Sequence, residues 1–215
     1  MTSLASLRYN RYPQHSWARI LHKMFQKYSH ASSVIDACCG DGVISYWLAK
    51  WNPSIRFVGI DIKMHDTWNC HRKHPNLTFI CGDIASDVDT YKDSSLMIIN
   101  SLFVLEDPDL VIGKFKPLFP LVFGIFPYPT SLNFRAFTRR NPLYPNLSVM
   151  SKERTVQLFA RHGYTVLDEQ DLTYIPYHHI GLRPMRLLCF EVLEEIGLGR
   201  KEAAYWLGVF SNKRR

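Results

Sequence analysis

The apolar positions of this chain follow two periods in turn. From His15 to Tyr28, the residues Trp17, Ile20, Leu21, Met24, Phe25 and Tyr28 fall on one stripe at helical spacing, with Pro13 just before it. This predicts an N-terminal helix within 13–30. Short apolar runs then recur at Ser33 to Cys38, Arg56 to Asp61, Leu77 to Asp83, Ser95 to Asn100 and Leu121 to Phe126, each of strand length. Helical stretches separate them: Val43 to Lys50, stopped by Asn52-Pro53; about Thr67 to Lys73, stopped by Pro75; and Asp109 to Phe115. The run Leu96-Met-Ile-Ile99 is unbroken, as in a strand buried on both faces. Farther on, Ser151 is placed to cap a helix that runs to about His162 and stops at Gly163. Tyr164 to Leu167 reads as a sixth strand, Pro184 to Ile196 as a helix and Ala203 to Phe210 as a last strand. Strands alternating with helices predict an α/β domain built on a mostly parallel, seven-stranded sheet with helices on both faces. The last strand follows Gly199 too closely for a crossover, so it is expected to be antiparallel.

The stretch 127–150 breaks this rhythm. It holds Pro127, Pro129, Pro142 and Pro145 among Tyr128, Phe134, Phe137 and Tyr144, with Arg135, Arg139 and Arg140. It reads as a cap or loop over a pocket. The rest of 1–215 is expected to form a single domain, a size that allows a full core. At 47% hydrophobic and 21% charged residues the composition is that of a folded protein. The 26 Lys+Arg against 19 Asp+Glu leave +7, which keeps an anionic partner open, yet no dense basic run lies inside the chain. Nucleic acid is therefore not the expected partner. The five cysteines, Cys38, Cys39, Cys70, Cys81 and Cys189, form no CxxC pair, and no leader-like segment is seen; a reducing, cytoplasmic setting is expected. No stretch reaches the roughly 18 apolar residues of a membrane span.

The candidate chemistry begins at Ser33-Val-Ile-Asp-Ala-Cys-Cys-Gly-Asp-Gly42, a strand running into an acid, a turn with two glycines and a helix start. Such a unit makes a nucleotide-cofactor pocket at the carboxyl edge of a parallel sheet. One reading is a dinucleotide: Gly40-x-Gly42 has Ser45 where a third glycine would sit, and Asp61 lies about 20 residues on, where a ribose-binding acid belongs. That reading leaves Asp83 without a role. The stretch Asp36-Ala-Cys-Cys-Gly-Asp-Gly42 also resembles the first motif of the class I S-adenosylmethionine (SAM)-dependent methyltransferases, a Rossmann-like family. The resemblance spans roughly Ser33 to Pro108 plus the strand order. It implies that Asp61, with Ile62 after it, accepts from the ribose hydroxyls, and that Asp83-Ile84 meets the adenine. It further implies that Asn100-Ser101 at the end of strand four completes a site begun by Asp36, Cys38, Gly40 and Gly42. Cys38 departs from the pattern, standing where the family often has glycine. SAM carries an ammonium, a sulfonium, two ribose hydroxyls and an adenine amino group, all of which suit carboxylate or carbonyl acceptors.

A methyl transfer chiefly needs alignment, with a general base when the acceptor is a hydroxyl. His178 or His179, in Tyr174-Ile-Pro-Tyr-His-His-Ile180 after strand six, is the favoured base, against a reading as loop histidines; His15 is a second candidate. His65, Cys70, His71, His74 and Cys81 crowd one region, but their spacing matches no zinc finger and no metal site is expected. The stretch Ile99-Asn-Ser-Leu-Phe103 lacks the Asn/Asp-Pro-Pro-aromatic run that adenine and glutamine methylases of the family carry. Asp107 and Asp109 read as helix N-terminal acids and not as magnesium ligands. The expectation is thus a metal-free methyltransferase for a small molecule, methylating oxygen on an apolar or aromatic acceptor. An RNA methyltransferase and a non-catalytic SAM-fold scaffold are the alternatives.

Overall fold

The protein is described by a computed structural model, in which residues 12–71, 74–86, 88–129, 151–172 and 205–212 are described. Helix α1 (Tyr12–Tyr28) leads into β1 (Ser33–Ala37), α2 (Val43–Trp51), β2 (Arg56–Asp61), a one-turn α3 (Trp68–His71) and β3 (Leu77–Cys81). The chain continues through β4 (Ser95–Ile99), α4 (Pro108–Phe115), β5 (Leu121–Pro127), α5 (Lys152–Arg161), β6 (Thr165–Leu172) and β7 (Tyr205–Ser211). The seven strands form one sheet in the order β3-β2-β1-β4-β5-β7-β6. Strands β1 to β5 pair in parallel, and β7 is antiparallel to both β5 and β6, as its short approach predicted.

Parity along β5 fixes the layers. Phe123 and Phe126 are three residues apart, so they point to opposite faces. Phe123 meets Phe25 of α1 at 4.3 Å between ring centroids, and Phe126 meets Phe159 of α5 at 6.0 Å. Helices therefore cover both faces. On the first, α1 spans the sheet from Phe57 of β2 to Tyr205 of β7, which packs on Trp17. On the second, Phe159 stacks on Phe210 at 4.1 Å. All seven residues of β7 are buried, which explains a strand without a polar alternation. The two sheet edges behave differently. At one, β3 alternates buried Leu77 and Phe79 with exposed Thr78.

At the other edge, β6 differs from the sequence reading: it runs on past Leu167 through Asp168-Glu-Gln-Asp171 to Leu172. An edge strand needs one paired side only, so its polar residues face solvent, and a register shift between Val166 and Asp168 marks a bulge there. Strand β3 also ends earlier than expected, at Cys81: Asp83 already belongs to the turn that follows, where its side chain accepts the Ala85 N–H at 2.9 Å. The expected cap 127–150 and the helix from Pro184 to Ile196 fall, from residue 130 in the first case, outside the described residues. Among the described residues, no helix is long and apolar enough to cross a membrane.

Candidate functional site

Strands β1 and β4 are neighbours, and the connection leaving β1 runs to β2 on one side whereas the one leaving β4 runs to β5 on the other. A crevice opens at such a switch point. Two non-glycine residues with left-handed backbone flank it: Cys38 after β1, at φ 57°, and Asn100 after β4, at φ 51°. Left-handed backbone in L-residues is strained and gathers at functional sites. Cys38 thus stands in the conformation that glycine would hold more easily, the physical content of its departure from the family pattern.

Between Cys38 and α2 the chain makes a tight turn. The Cys39 N–H bonds the Ile60 carbonyl at 3.0 Å, and the Gly42 N–H bonds the Cys39 carbonyl at 3.0 Å. Gly40 and Gly42 have φ 55° and 75°. A side chain on Gly42 would overlap the Phe79 ring, so this glycine is required by packing as well as by conformation. A side chain on Gly40 would meet nothing within 4 Å: the turn presents an open face there.

The acids converge on this turn. Asp61, at the end of β2, accepts the Gly40 N–H on Oδ2 at 2.9 Å and the Lys63 N–H on Oδ1 at 3.0 Å, with His65 Nε2 3.9 Å away. Asp83 accepts from the Ala85 N–H at 2.9 Å and the Ser86 hydroxyl at 3.1 Å, and so caps the turn after β3. Asp36 lies inside β1, one residue before its end, and is only 2% exposed. Its Oδ2 accepts the Ser45 hydroxyl, whereas its Oδ1 is buried without a partner. Burial, reinforced by the negative charges of Asp61 and Asp41 and only partly offset by Ser45, pushes its carboxyl up to about 7. The Cys38 thiol is raised to about 12, first by burial and then by Asp61, Asp36 and Asp83. These acids from three strand ends therefore act on one place. Asn100 Oδ1 is a second buried oxygen without a partner, and Ser101 donates to the Ala37 carbonyl at 3.3 Å.

Ile62, 69% exposed, follows Asp61, and Ile84, 5% exposed, is core. His178 and His179 lie outside the described residues; His15 belongs to α1, with its side chain outside them too. Asp107 caps α4 by accepting the Leu110 N–H at 3.0 Å, and Asp109 pairs with Arg161 at the end of α5 and His162 just after it, at 3.0 and 2.8 Å. Both act as helix-end acids, as the sequence suggests. His71 stacks on Tyr46, and His74 bonds Asn76 at 2.6 Å. Sequence reasoning missed Asp41, whose Oδ1 lies 3.3 Å from the Val43 N–H at the start of α2. It also missed Thr67 and Trp68, which bond the carbonyls of Asp41 and Gly40, each at 2.8 Å.

The turn thus offers unused buried acceptor oxygens, a ring of carboxylates and an open glycine face. A pyrophosphate would need donors at the α2 N-terminus, where Asp41 already lies. The donor set of SAM fits, and residues 34–114 match the family model described as a methyltransferase domain. Over that stretch the chain is similar to methyltransferase domains.

Solved structures carry the same fold. A SAM-dependent methyltransferase from Archaeoglobus fulgidus superposes with a TM-score of 0.67 at 13% identity, over 97% of this chain and 100% of that one. Magnesium protoporphyrin IX methyltransferase from Synechocystis PCC 6803, with bound S-adenosylhomocysteine (SAH), gives 0.65 at 12% identity, over 99% and 89%. The plantazolicin methyltransferase BamL, bound to a desmethyl analogue and SAH, gives 0.64 at 18% identity, over 97% and 90%. No curated protein matches the sequence.

Proposed function

We propose that the protein is a SAM-dependent methyltransferase that methylates oxygen on an apolar or aromatic small molecule. The observation that supports this most is the set of acceptor groups at the carboxyl edge: Asp61, Asp83, and the unpartnered oxygens of Asp36 and Asn100, around the open face of Gly40. SAM, when bound, supplies an activated methyl group on a sulfonium, so the chemistry is an in-line displacement at carbon. Asp61 keeps lone pairs beyond its two backbone bonds and would accept the ribose hydroxyls. Asp83, one strand over, would accept the adenine amino group, with the exposed Ile62 beside it. Asp36 and Asn100 would hold negative charge and dipole toward the cationic amino-acid end. Cys38, Gly42, Ile84 and Ser101 would shape the walls. His178 or His179, with His15 as the second candidate, would take the acceptor's proton.

The absence of a Pro-Pro-aromatic run after β4 supports oxygen over amide or adenine nitrogen. Leu102 and Phe103, which stand where such a run would present its carbonyl and ring, are instead buried in the core. The aromatic residues of 127–150 support an apolar acceptor. The +7 charge favours a second reading, an RNA acceptor.

Replacing Asp61 by Ala is expected to weaken SAM binding by roughly 1–3 kcal/mol, measured by calorimetry, because the hydroxyls lose a charged acceptor. Unchanged affinity would remove the ribose assignment. A screen of SAH release against phenols, carboxylic acids and RNA separates the acceptors. Turnover with RNA alone, falling steeply with salt, would replace the small-molecule reading, and SAM binding without turnover on any class would favour a scaffold.

A further inference from the structure

Gly40 is held by both of its backbone polar groups. Its N–H donates to Asp61 Oδ2 at 2.9 Å, and its carbonyl accepts Trp68 Nε1–H at 2.8 Å. Both side chains flank the same segment, 61–68, which follows β2. Next door, the Thr67 hydroxyl donates to the Asp41 carbonyl at 2.8 Å. Much of the segment is open to solvent: Ile62 and Met64 are 69% and 72% exposed, and Asp61, His65 and Thr67 are half-buried, whereas Trp68 is 1% exposed. A single buried anchor on such a segment marks where it is fastened. The indole lies parallel to the Phe79 ring, 5.0 Å between centroids and 10° between planes. That same Phe79 ring fills the space a side chain on Gly42 would need. Trp68 therefore grips the turn by hydrogen bond above and by stacking through Phe79 below.

The turn needs such a grip. Cys38, Gly40 and Gly42 all have positive φ, and its residues lie outside any sheet ladder. Two peptide carbonyls that would otherwise turn toward solvent or ligand are fixed toward α3. We infer that Thr67 and Trp68 are positioning residues, a clamp that sets the glycine turn for the amino-acid end of the cofactor. This rests on the SAM reading above. Strand order gives the direction: with ribose at β2 and adenine at β3, the remaining end of the ligand lies over β1 and its turn.

The test uses Trp68→Phe, which keeps a ring on Phe79 but removes the indole N–H and some buried volume, and Thr67→Val, which keeps the shape and removes only the hydroxyl. Calorimetry with SAH is expected to show an affinity loss of about fivefold to tenfold for each variant. Adenosine, which lacks the amino-acid end, is expected to lose less than about twofold in either variant, and Thr67→Val is expected to keep a melting temperature close to that of the parent. In the free protein, amide exchange at Gly40 and Gly42 is expected to quicken by about tenfold in Trp68→Phe. Equal losses for SAH and adenosine, in step with a fall in melting temperature, would make the two residues merely structural and overturn the clamp. So would unchanged exchange at the turn. A parent protein that binds neither SAH nor adenosine would overturn the cofactor reading, and with it the clamp's role in binding; the exchange measurement would still judge the clamp itself.

Discussion

The buried carboxyl of Asp36 makes the sharpest prediction about this fold. Its ordinary value is 3.8, and burial together with Asp61 and Asp41 carries it to about 7 in the folded protein. In the unfolded chain it returns to the ordinary range. Between those values the folded state holds a proton that the unfolded state has released. Its contribution to stability is therefore fully present below about 4, is lost as pH rises through 7, and changes no further above about 8. A rise from 3.8 to about 7 corresponds to about 4 kcal/mol of destabilisation at pH 8. Asp36→Asn keeps the shape and the Ser45 contact and cannot ionise. In urea unfolding, the variant should gain on the parent by about 2 kcal/mol between pH 5 and pH 7, with the gap levelling off by about pH 8. Other titrating groups are common to both proteins and cancel in the difference. SAM affinity should move the opposite way: the parent binds more tightly as pH rises through 7, and the variant loses that dependence. A gap independent of pH, or a parent more stable than Asp36→Asn at pH 8, would refute the reasoning.

Other perturbations test the turn and the sheet edge. Gly42→Ala drives a methyl group into the Phe79 ring at φ 75°, and is expected to cost roughly 1–3 kcal/mol in chemical unfolding. Cys38→Gly should instead stabilise by about 0.5–1 kcal/mol, since relief of the left-handed backbone at φ 57° outweighs the added freedom of the unfolded chain; an unfolding midpoint below the parent's would contradict this. At the far edge, Asp168 accepts from Lys27 and Tyr28 at 2.8 and 2.7 Å, and those bonds hold its carboxyl below the usual range. Its contribution is present above about 4 and lost as pH falls, so Asp168→Asn should lower the melting temperature at pH 7 and leave it nearly unchanged at pH 3.

The parallel part of the sheet was legible because period and burial agree: β1, β2, β4 and β5 are short apolar runs bounded by turn residues, and the structure begins and ends them within a residue or two of the sequence reading. Strand β6 was half legible. Its second half, Asp168 to Asp171, is polar, and only pairing with the wholly buried β7 makes it a strand. At the site, Asp61 and Asp83 were found by position at strand ends, and the structure brings them with Asp36 to bear on one thiol. What Asp36 does there was not readable. Its partner Ser45 sits nine residues on, across a strand, a turn and a helix start, and entered the sequence argument only as a missing glycine. Trp68 was harder still, since an indole N–H carries no mark in the sequence of the carbonyl it will meet.

A strand, a glycine turn and a helix start serve ligands of either charge, so the glycines alone do not choose. In a dinucleotide site the pyrophosphate lies against amides at the helix N-terminus. Here the corresponding amides are already covered by carboxylates: Val43 N–H by Asp41 at 3.3 Å, and Gly40 N–H by Asp61 at 2.9 Å. A phosphate brought to the same place would be repelled by both anions. At an effective dielectric of about 20, two like unit charges about 5 Å apart repel by about 3 kcal/mol. A cationic ligand meets the same geometry with the sign reversed. Two aspartates within the reach of one turn thus convert a fold element able to hold an anion into one that favours a cation. The packing of Phe79 and Trp68 beneath the turn keeps those aspartates in register with its amides.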